Sequence, residues 1–179
     1  MAKLLYVMKR ARPDIETSVS FLMRRVSKSD EDDWAKLIRA LGFIKSTINE
    51  KRKIGAQSLT NLYTWLDASY AVHDNMRSHM GEMMSLGNGI MHGKSAMNKI
   101  NTKSTTETEL VSVAEYLPYN IWFTNFMEEQ GYRVMKNVIY QDNKSAILLE
   151  KTGETAVLGI RGILISDIFG SRTLQSKGI

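Results

Sequence analysis

The sequence predicts a mixed α/β core preceded by a short helical segment. Three observations carry this. Apolar residues recur at helical spacing through the first third, and the texture turns to β-forming runs after Leu59. From there the runs order as strand, strand, strand, helix, strand, helix. The 179 residues suit one domain of ordinary size, or one domain with an appendage. At 43% hydrophobic and 24% charged, the composition is globular and excludes a fully disordered chain.

The first third reads as helix. Ile15, Val19 and Leu22/Met23 recur at helical spacing after Pro13-Asp14, a plausible helix start. Ser29-Asp30-Glu31-Asp32-Asp33 then precedes Trp34, Leu37, Ile38, Leu41 and Ile44, an acidic first turn before an apolar face. The acidic cluster reads as helix capping in preference to a cation site. Asn49–Ser58 is polar, basic and ends beyond Gly55, which marks a linker.

Past Leu59, Leu62-Tyr63-Thr64-Trp65-Leu66 forms a β-rich run that ends on Asp67. Gly81–Leu86 makes a second strand, Gly87-Asn88-Gly89 a turn, and Ile90-Met91-His92-Gly93 opens a third strand. Thr106–Gln130 is a long helix with Leu110, Val113, Leu117, Ile121 and Trp122 on one face. Thr105 or Thr106 can cap it, Pro118 should kink it or break one hydrogen bond, and Gly131 stops it. Val138-Ile139-Tyr140 is a fourth strand before Gln141-Asp142-Asn143, and Lys144–Lys151 resumes helix. The chain thus divides into 1–58, helical; 59–152, the α/β core; and 153–179, a tail.

Charge and composition narrow the function. The net charge is +5 with a pI of about 9.4, which favours a polyanionic partner. Residues 1–58 hold 13 Lys+Arg against 7 Asp+Glu, whereas residues 59–152 hold 8 against 10. The basic excess therefore belongs to the first third. With no cysteine there is no disulfide framework, thiolate metal site or cysteine nucleophile. No uninterrupted apolar run is long enough for a membrane span, and the order of apolar and basic residues from Met1 to Pro13 is wrong for a secretory signal.

Three acids sit at telling places: Asp67 at the end of the first strand, Glu109 in the first turn of the long helix, Asp142 at the end of the fourth strand. If the fourth strand lies beside the first, both aspartates leave the sheet at one edge, and the helix start can bring Glu109 over it. Three converging carboxylates repel one another unless a cation neutralises them. Hard oxygen ligands select magnesium or manganese, and two such ions about 4 Å apart serve in-line attack of water on a phosphodiester. Aspartate at a strand end is also a turn former, and glutamate in a first turn a dipole partner. Spacing alone leaves both readings open.

The residues around the acids add a resemblance. Trp65-Leu66-Asp67-Ala68-Ser69-Tyr70 followed by Arg77-Ser78-His79-Met80-Gly81 resembles the first two strands of the Ty1/copia-type retrotransposon ribonuclease H. Lys103-Ser104-Thr105-Thr106-Glu107-Thr108-Glu109-Leu110 resembles that family's Ser-Ser-Thr-Glu-Ala-Glu-Tyr motif, and Gln141-Asp142-Asn143-Lys144-Ser145-Ala146-Ile147 its Asp-Asn-Gln-Ser-Ala-Ile motif. The motifs occur in the family's order, over residues 3–152. Leu4-Leu5-Tyr6, Arg12-Pro13-Asp14-Ile15, Val19-Ser20 and Trp34-Ala35-Lys36-Leu37 resemble the connection between reverse transcriptase and ribonuclease H.

The resemblance implies a ribonuclease H-like mixed sheet with flanking helices, truncated, behind a helical connection from a Pol polyprotein. It implies Mg2+ or Mn2+ held by Asp67, Glu109 and Asp142, which would be both catalytic and metal-binding, for hydrolysis of the RNA strand of an RNA–DNA hybrid. Partners would be the hybrid and the rest of the Pol polyprotein, with no membrane. The setting would be intracellular, in a cytoplasmic particle or the nucleus of the parent element's host. Lys94, Lys99 and Lys103 are candidate contacts to the hybrid backbone; a solvated basic strand face is the alternative. His73, His79 and His92 look scattered and receive no catalytic role.

The resemblance stops near Gly153. The family continues with roughly Arg-His-Ile-Asp/Asn-Ile-Arg-Tyr-Phe, whose acid or amide is a fourth site position, and this chain lacks that motif. Asp167 is an accidental substitute. Synonymous codons for Gly153–Thr173, read from the third base, spell Arg-His-Ile-Asn-Ile-Arg-Tyr-Phe, so the tail reads as a register shift. With no fourth site position, hydrolysis is expected to be weak or absent. A non-catalytic nucleic-acid-binding remnant and a non-functional pseudogene product are the other two readings.

Overall fold

The computed structural model describes residues 1–152 and 163–167. Residues 153–162 and 168–179, which carry most of the proposed register shift, lie outside the described residues.

Helix α1 spans Ala2–Arg10, α2 Glu16–Arg25 after a 3-10 turn at Pro13–Ile15, and α3 Glu31–Ser46. The acidic run before Trp34 caps α3. The Asp30 side chain accepts from the Asp33 N–H at 2.9 Å and Asp33 returns a bond to the Asp30 N–H. Arg25 joins the cap to α2 through Asp30 and Asp33, both at 2.6 Å. α1 and α2 share a small core of Met8, Ile15 and Val19.

Strands follow at Gly55–Ala56 (β1), Asn61–Ser69 (β2), His79–Ser85 (β3), Gly87–Asn88 (β4) and Ile90–Met97 (β5). The long helix α4 is Thr105–Glu129; then come β6, Lys136–Gln141, α5, Lys144–Thr152, and β7, Ile163–Asp167. The main sheet is ordered β5-β3-β2-β6-β7. β2, β3 and β5 form an antiparallel meander, and β6 pairs parallel with β2. β7 pairs parallel with β6, so part of the 153–179 tail supplies a fifth strand.

Several local features differ from the sequence expectations. The 49–58 linker contributes a strand: Gly55 and Ala56 pair with Asn88 and Gly87. That crossing explains Gly89, at φ +89°, where a Cβ would lie 2.0 Å from the Lys53 carbonyl oxygen. β2 continues two residues beyond Asp67, because Ala68 and Ser69 still pair with Met80 and His79. The cap of α4 is Ser104, one residue before the expected threonines, accepting from the Glu107 N–H at 3.1 Å. α4 continues past Pro118, which, having no N–H, leaves out one bond of the helix as expected. Trp122 is 63% exposed instead of buried with Val113 and Leu117. It sits five residues past Leu117, about 140° round the helix.

Side-chain alternation along β2 divides the sheet into two faces. Leu62, Thr64 and Leu66 are buried beneath α4, whereas Tyr63, Trp65 and Asp67 point the other way. The α4 side is packed by Leu66, Met80, Tyr116, Leu117 and Ile139, joined by Ile147 of α5 and by Ile163 and Ile165 of β7. Deep in this layer lies a buried amide pair. Asn120 donates to Asn137 Oδ1 at 3.0 Å and Thr64 Oγ1 at 2.8 Å, and Asn137 donates back to Asn120 Oδ1 at 2.6 Å. This network fixes α4 across β2 and β6 at once. Asn120→Ala is expected to cost about 2 kcal/mol in urea unfolding, because it leaves the buried Asn137 Oδ1 and Thr64 without their donor.

The helical segment covers the open edge of β5. Glu16 accepts from the Ser95 N–H at 3.2 Å while holding Lys9 at 2.9 Å, and Ser20 donates to the Ser95 carbonyl at 3.0 Å. An edge amide that would otherwise invite strand addition is thereby occupied.

Candidate metal centre

The parallel pairing of β2 and β6 brings two acids together. Trp65 is opposite Tyr140, so two further steps set Asp67 beside Asp142. Glu109 arrives from the first turns of α4, whose start is held against β3 by a buried hydroxyl cluster. Ser78 Oγ lies 3.1 Å from Thr102 Oγ1 and 3.2 Å from Thr108 Oγ1, and the two threonines are 2.6 Å apart. Thr108 has no exposed surface, which leaves its neighbour Glu109 one direction to face.

Asp67, Glu109 and Asp142 each place a carboxylate oxygen within 4.8 Å of the others. The two aspartates are exposed, and Glu109 is buried. Burial, with Asp142 and Asp67 adding repulsion, pushes the Glu109 carboxyl up to about 7. Gln141 opposes this by donating from Nε2 to Glu109 Oε2 at 3.3 Å, and the Ala68 main chain helps. Three hard oxygen donors, one of them held unfavourably as an anion, suit Mg2+ or Mn2+.

Gln141 is a positioning residue that the sequence reading passed over. It is fully buried, and its Oε1 has no hydrogen-bond partner. Its signal was present, since it immediately precedes Asp142 in the fourth-strand motif.

The histidines are less scattered than their spacing suggests. His73 Nε2 and His79 Nδ1 are 3.0 Å apart, and Phe21 of α2 stacks on both rings, at 4.6 and 4.4 Å. His79 and Asp67 line one cleft of about 160 Å³ with Thr17, Ser69 and Ser95. His92 lies instead near the buried Glu82, its Nε2 3.8 Å from Glu82 Oε2.

Lys94 and Lys99 bond partners other than the three carboxylates. Lys94 donates to the Tyr119 hydroxyl at 3.0 Å, and Tyr119 is ten residues, about 15 Å, along α4 from Glu109. Lys99 pairs with Glu115 at 2.8 Å. The Lys103 N–H donates to Glu107 at 2.6 Å beside the start of α4. Asp167 ends β7 in register with Gln141, at the sheet end that carries Asp142.

The fold and site thus define a mixed α/β chain with a three-carboxylate cluster at one sheet edge. Its similarities are to transposon polyproteins. It is 28% identical over 152 residues to the retrovirus-related Pol polyprotein from transposon TNT 1-94 of Nicotiana tabacum, covering 84% of this chain and 11% of that protein. It is 29% identical over 140 residues to the Pol polyprotein from transposon RE1 of Arabidopsis thaliana, covering 77% and 10%. It is also 25% identical over 122 residues to the secreted RxLR effector protein 161 of Plasmopara viticola, covering 68% and 86%. The chain spans about a tenth of the length of the transposon polyproteins it matches. No protein-family model matches it. Among solved structures, the catalytic domain of human endonuclease V aligns with a TM-score of 0.31 at 13% identity, over 64% of this chain and 48% of that one.

Proposed function

We propose that this chain is the ribonuclease H-like module of a retrotransposon Pol polyprotein, with a helical connection ahead of it. Its chemistry is hydrolysis of the RNA strand of an RNA–DNA hybrid. The observation that carries the reading is the meeting of Asp67, Glu109 and Asp142 within 4.8 Å, from three segments whose motifs follow one family's order. Similarity to transposon Pol polyproteins supports the polyprotein origin.

Asp67 and Asp142, exposed on adjacent strand ends, would ligate divalent cations from the solvent side. Glu109 would close the set from beneath, aimed by Gln141 and Ala68. Bound ions would supply water activation and charge stabilisation at the scissile phosphate. Burial favours the protonated form of Glu109 below about 7, so binding of a cation there would release that proton and would strengthen as pH rises. The missing fourth site position leaves the cluster short of one ligand, and the expected rate is low.

The test uses a labelled hybrid and a Mn2+ titration. Calorimetry is expected to show saturable Mn2+ binding that Asp67→Asn weakens at least tenfold. Any cleavage is expected to fall on the RNA strand, to need Mg2+ or Mn2+, and to vanish in Asp67→Asn. A chain that binds no Mn2+, or one that cuts equally well with chelator present, overturns the proposal.

A further inference from the structure

The sheet face opposite α4 carries a connected aromatic surface. Tyr63 and Trp65 alternate onto it from β2, and Tyr140 joins from β6, opposite Trp65 in register. The Trp65 and Tyr140 rings are 5.5 Å apart and inclined by 20°. Tyr63 lies 6.3 Å from Tyr140, also at 20°, and 6.2 Å from Trp65. Flanking residues extend the surface outward: Met83, opposite Trp65, is 45% exposed, and Leu164, opposite Val138, is 59% exposed. Among the described residues, α4 is the helix that packs on β2, and it does so from the other side. α2 lies along β5 and reaches the Asp67 end of this face, where Phe21 stacks on His79 of β3.

The chemistry of this face selects its occupant. A face meant only for a packed helix is served by branched aliphatic residues. Here three rings, two with phenolic tips, form one aromatic cluster across two strands, with Tyr63 and Trp65 inclined by 36°. Lys136 holds its ammonium 6.0 Å from the Tyr63 ring centroid, at the end remote from the carboxylates. Clustered aromatic rings edged by a cation match stacked bases with a phosphate backbone. The platform is also continuous with the metal centre. Asp67 follows Trp65 on the same face of β2, and Asp142 follows Tyr140 on β6, each about 7 Å further on.

We infer that Tyr63, Trp65 and Tyr140 form a stacking platform for the unpaired bases of a single-stranded nucleic acid, with Lys136 on its phosphates. The platform deepens the function proposed above by giving the substrate's unpaired strand a seat, but its binding needs no metal.

The test starts from the full chain carrying Trp34→Phe and Trp122→Phe, which leaves Trp65 as the one tryptophan. Titrating it with oligothymidylate in chelator should quench Trp65 emission saturably. Anisotropy of a labelled oligothymidylate then reads the variants. Trp65→Ala and Tyr140→Ala should each weaken binding by about 5- to 100-fold, and Trp65→Phe and Tyr140→Phe by no more than about twofold. Lys136→Glu should weaken binding and lower the salt slope by about 1. Should an alanine variant fail to fold, the parent quenching and Lys136→Glu still decide. No quenching of Trp65, or alanine variants that fold and bind like the parent, overturns the inference. Asp67→Asn separates the two proposals: it should lose Mn2+ and keep oligothymidylate. Failure of the platform leaves Mn2+ binding intact.

Discussion

Glu109→Gln is expected to stabilise the metal-free chain at pH 8 by about 2–3 kcal/mol and to abolish its stabilisation by Mn2+. The Glu109 carboxyl is 4% exposed and, pushed up by burial and then by Asp142 and Asp67, releases its proton near 7 instead of 4.5. The sign follows from linkage. Below 4.5 both folded and unfolded chains hold the proton, and the contribution to stability is whole. Between 4.5 and about 7 the unfolded chain has released it and the folded chain has not, so stability falls as pH rises. Glutamine removes the ionisation and with it this loss. Mn2+ acts on the wild type alone, by binding the folded carboxylates and not the unfolded ones. Urea unfolding at pH 4.5 and 8, with and without Mn2+, reads all four states. A Glu109→Gln chain less stable than wild type at pH 8, or still stabilised by Mn2+, contradicts the carboxylate geometry.

The second large effect is expected at a site remote from the metal centre. The Glu82 side chain has no exposed surface, and neither carboxylate oxygen has a hydrogen-bond partner. Burial pushes its carboxyl up to about 7, with Lys94 opposing and Glu16 adding to the rise. Glu82→Met fills similar space without a polar group, and should stabilise the chain by about 2–3 kcal/mol at pH 8 and by about 1 kcal/mol at pH 4.5. An equal effect at both pH values would show that Glu82 does not ionise within the fold. His79 works in the opposite direction. Burial, His73 and Arg24 push its imidazole down to about 4, so stability falls as pH drops from 6.5 towards 4. Between about pH 4.5 and 6.5 Glu109 and Glu82 lose more than His79 regains, so the metal-free wild type should lose stability as pH rises through that range, with Glu82→Met flattening the loss.

Much of this molecule was legible in its residue order. Leu62–Leu66, Gly81–Leu86 and Val138–Tyr140 announce strands because their β-forming runs are bounded by turn residues, and the structure places strands at all three. The capping role of Asp30–Asp33 was legible because a cap is satisfied within one turn of its own helix. The register of the acids followed from one assumption, that the fourth strand lies beside the first, and β6 does pair with β2.

Other features depended on partners far along the chain. The buried face of α4 carries Asn120 and Thr124 as well as apolar residues. Its polarity makes sense only because Asn137 and Thr64 answer it across two strands, so hydropathy chose Trp122 wrongly. His73 and His79 become a pair because Phe21, from the helical segment, stacks over both. Lys94, a candidate contact to a nucleic-acid backbone, bonds Tyr119, 25 residues away.

The sequence by itself determined the strand and helix types of the core, the α3 cap and the identity of the three acids. Each of these rests on interactions within a few residues. Only the tertiary structure decided that the acids meet within 4.8 Å, that Gln141 orients Glu109, and that Tyr63, Trp65 and Tyr140 share a face beside them. The physical reason is that strand pairing and helix placement set distances between segments, whereas local periodicity sets only which way each side chain points.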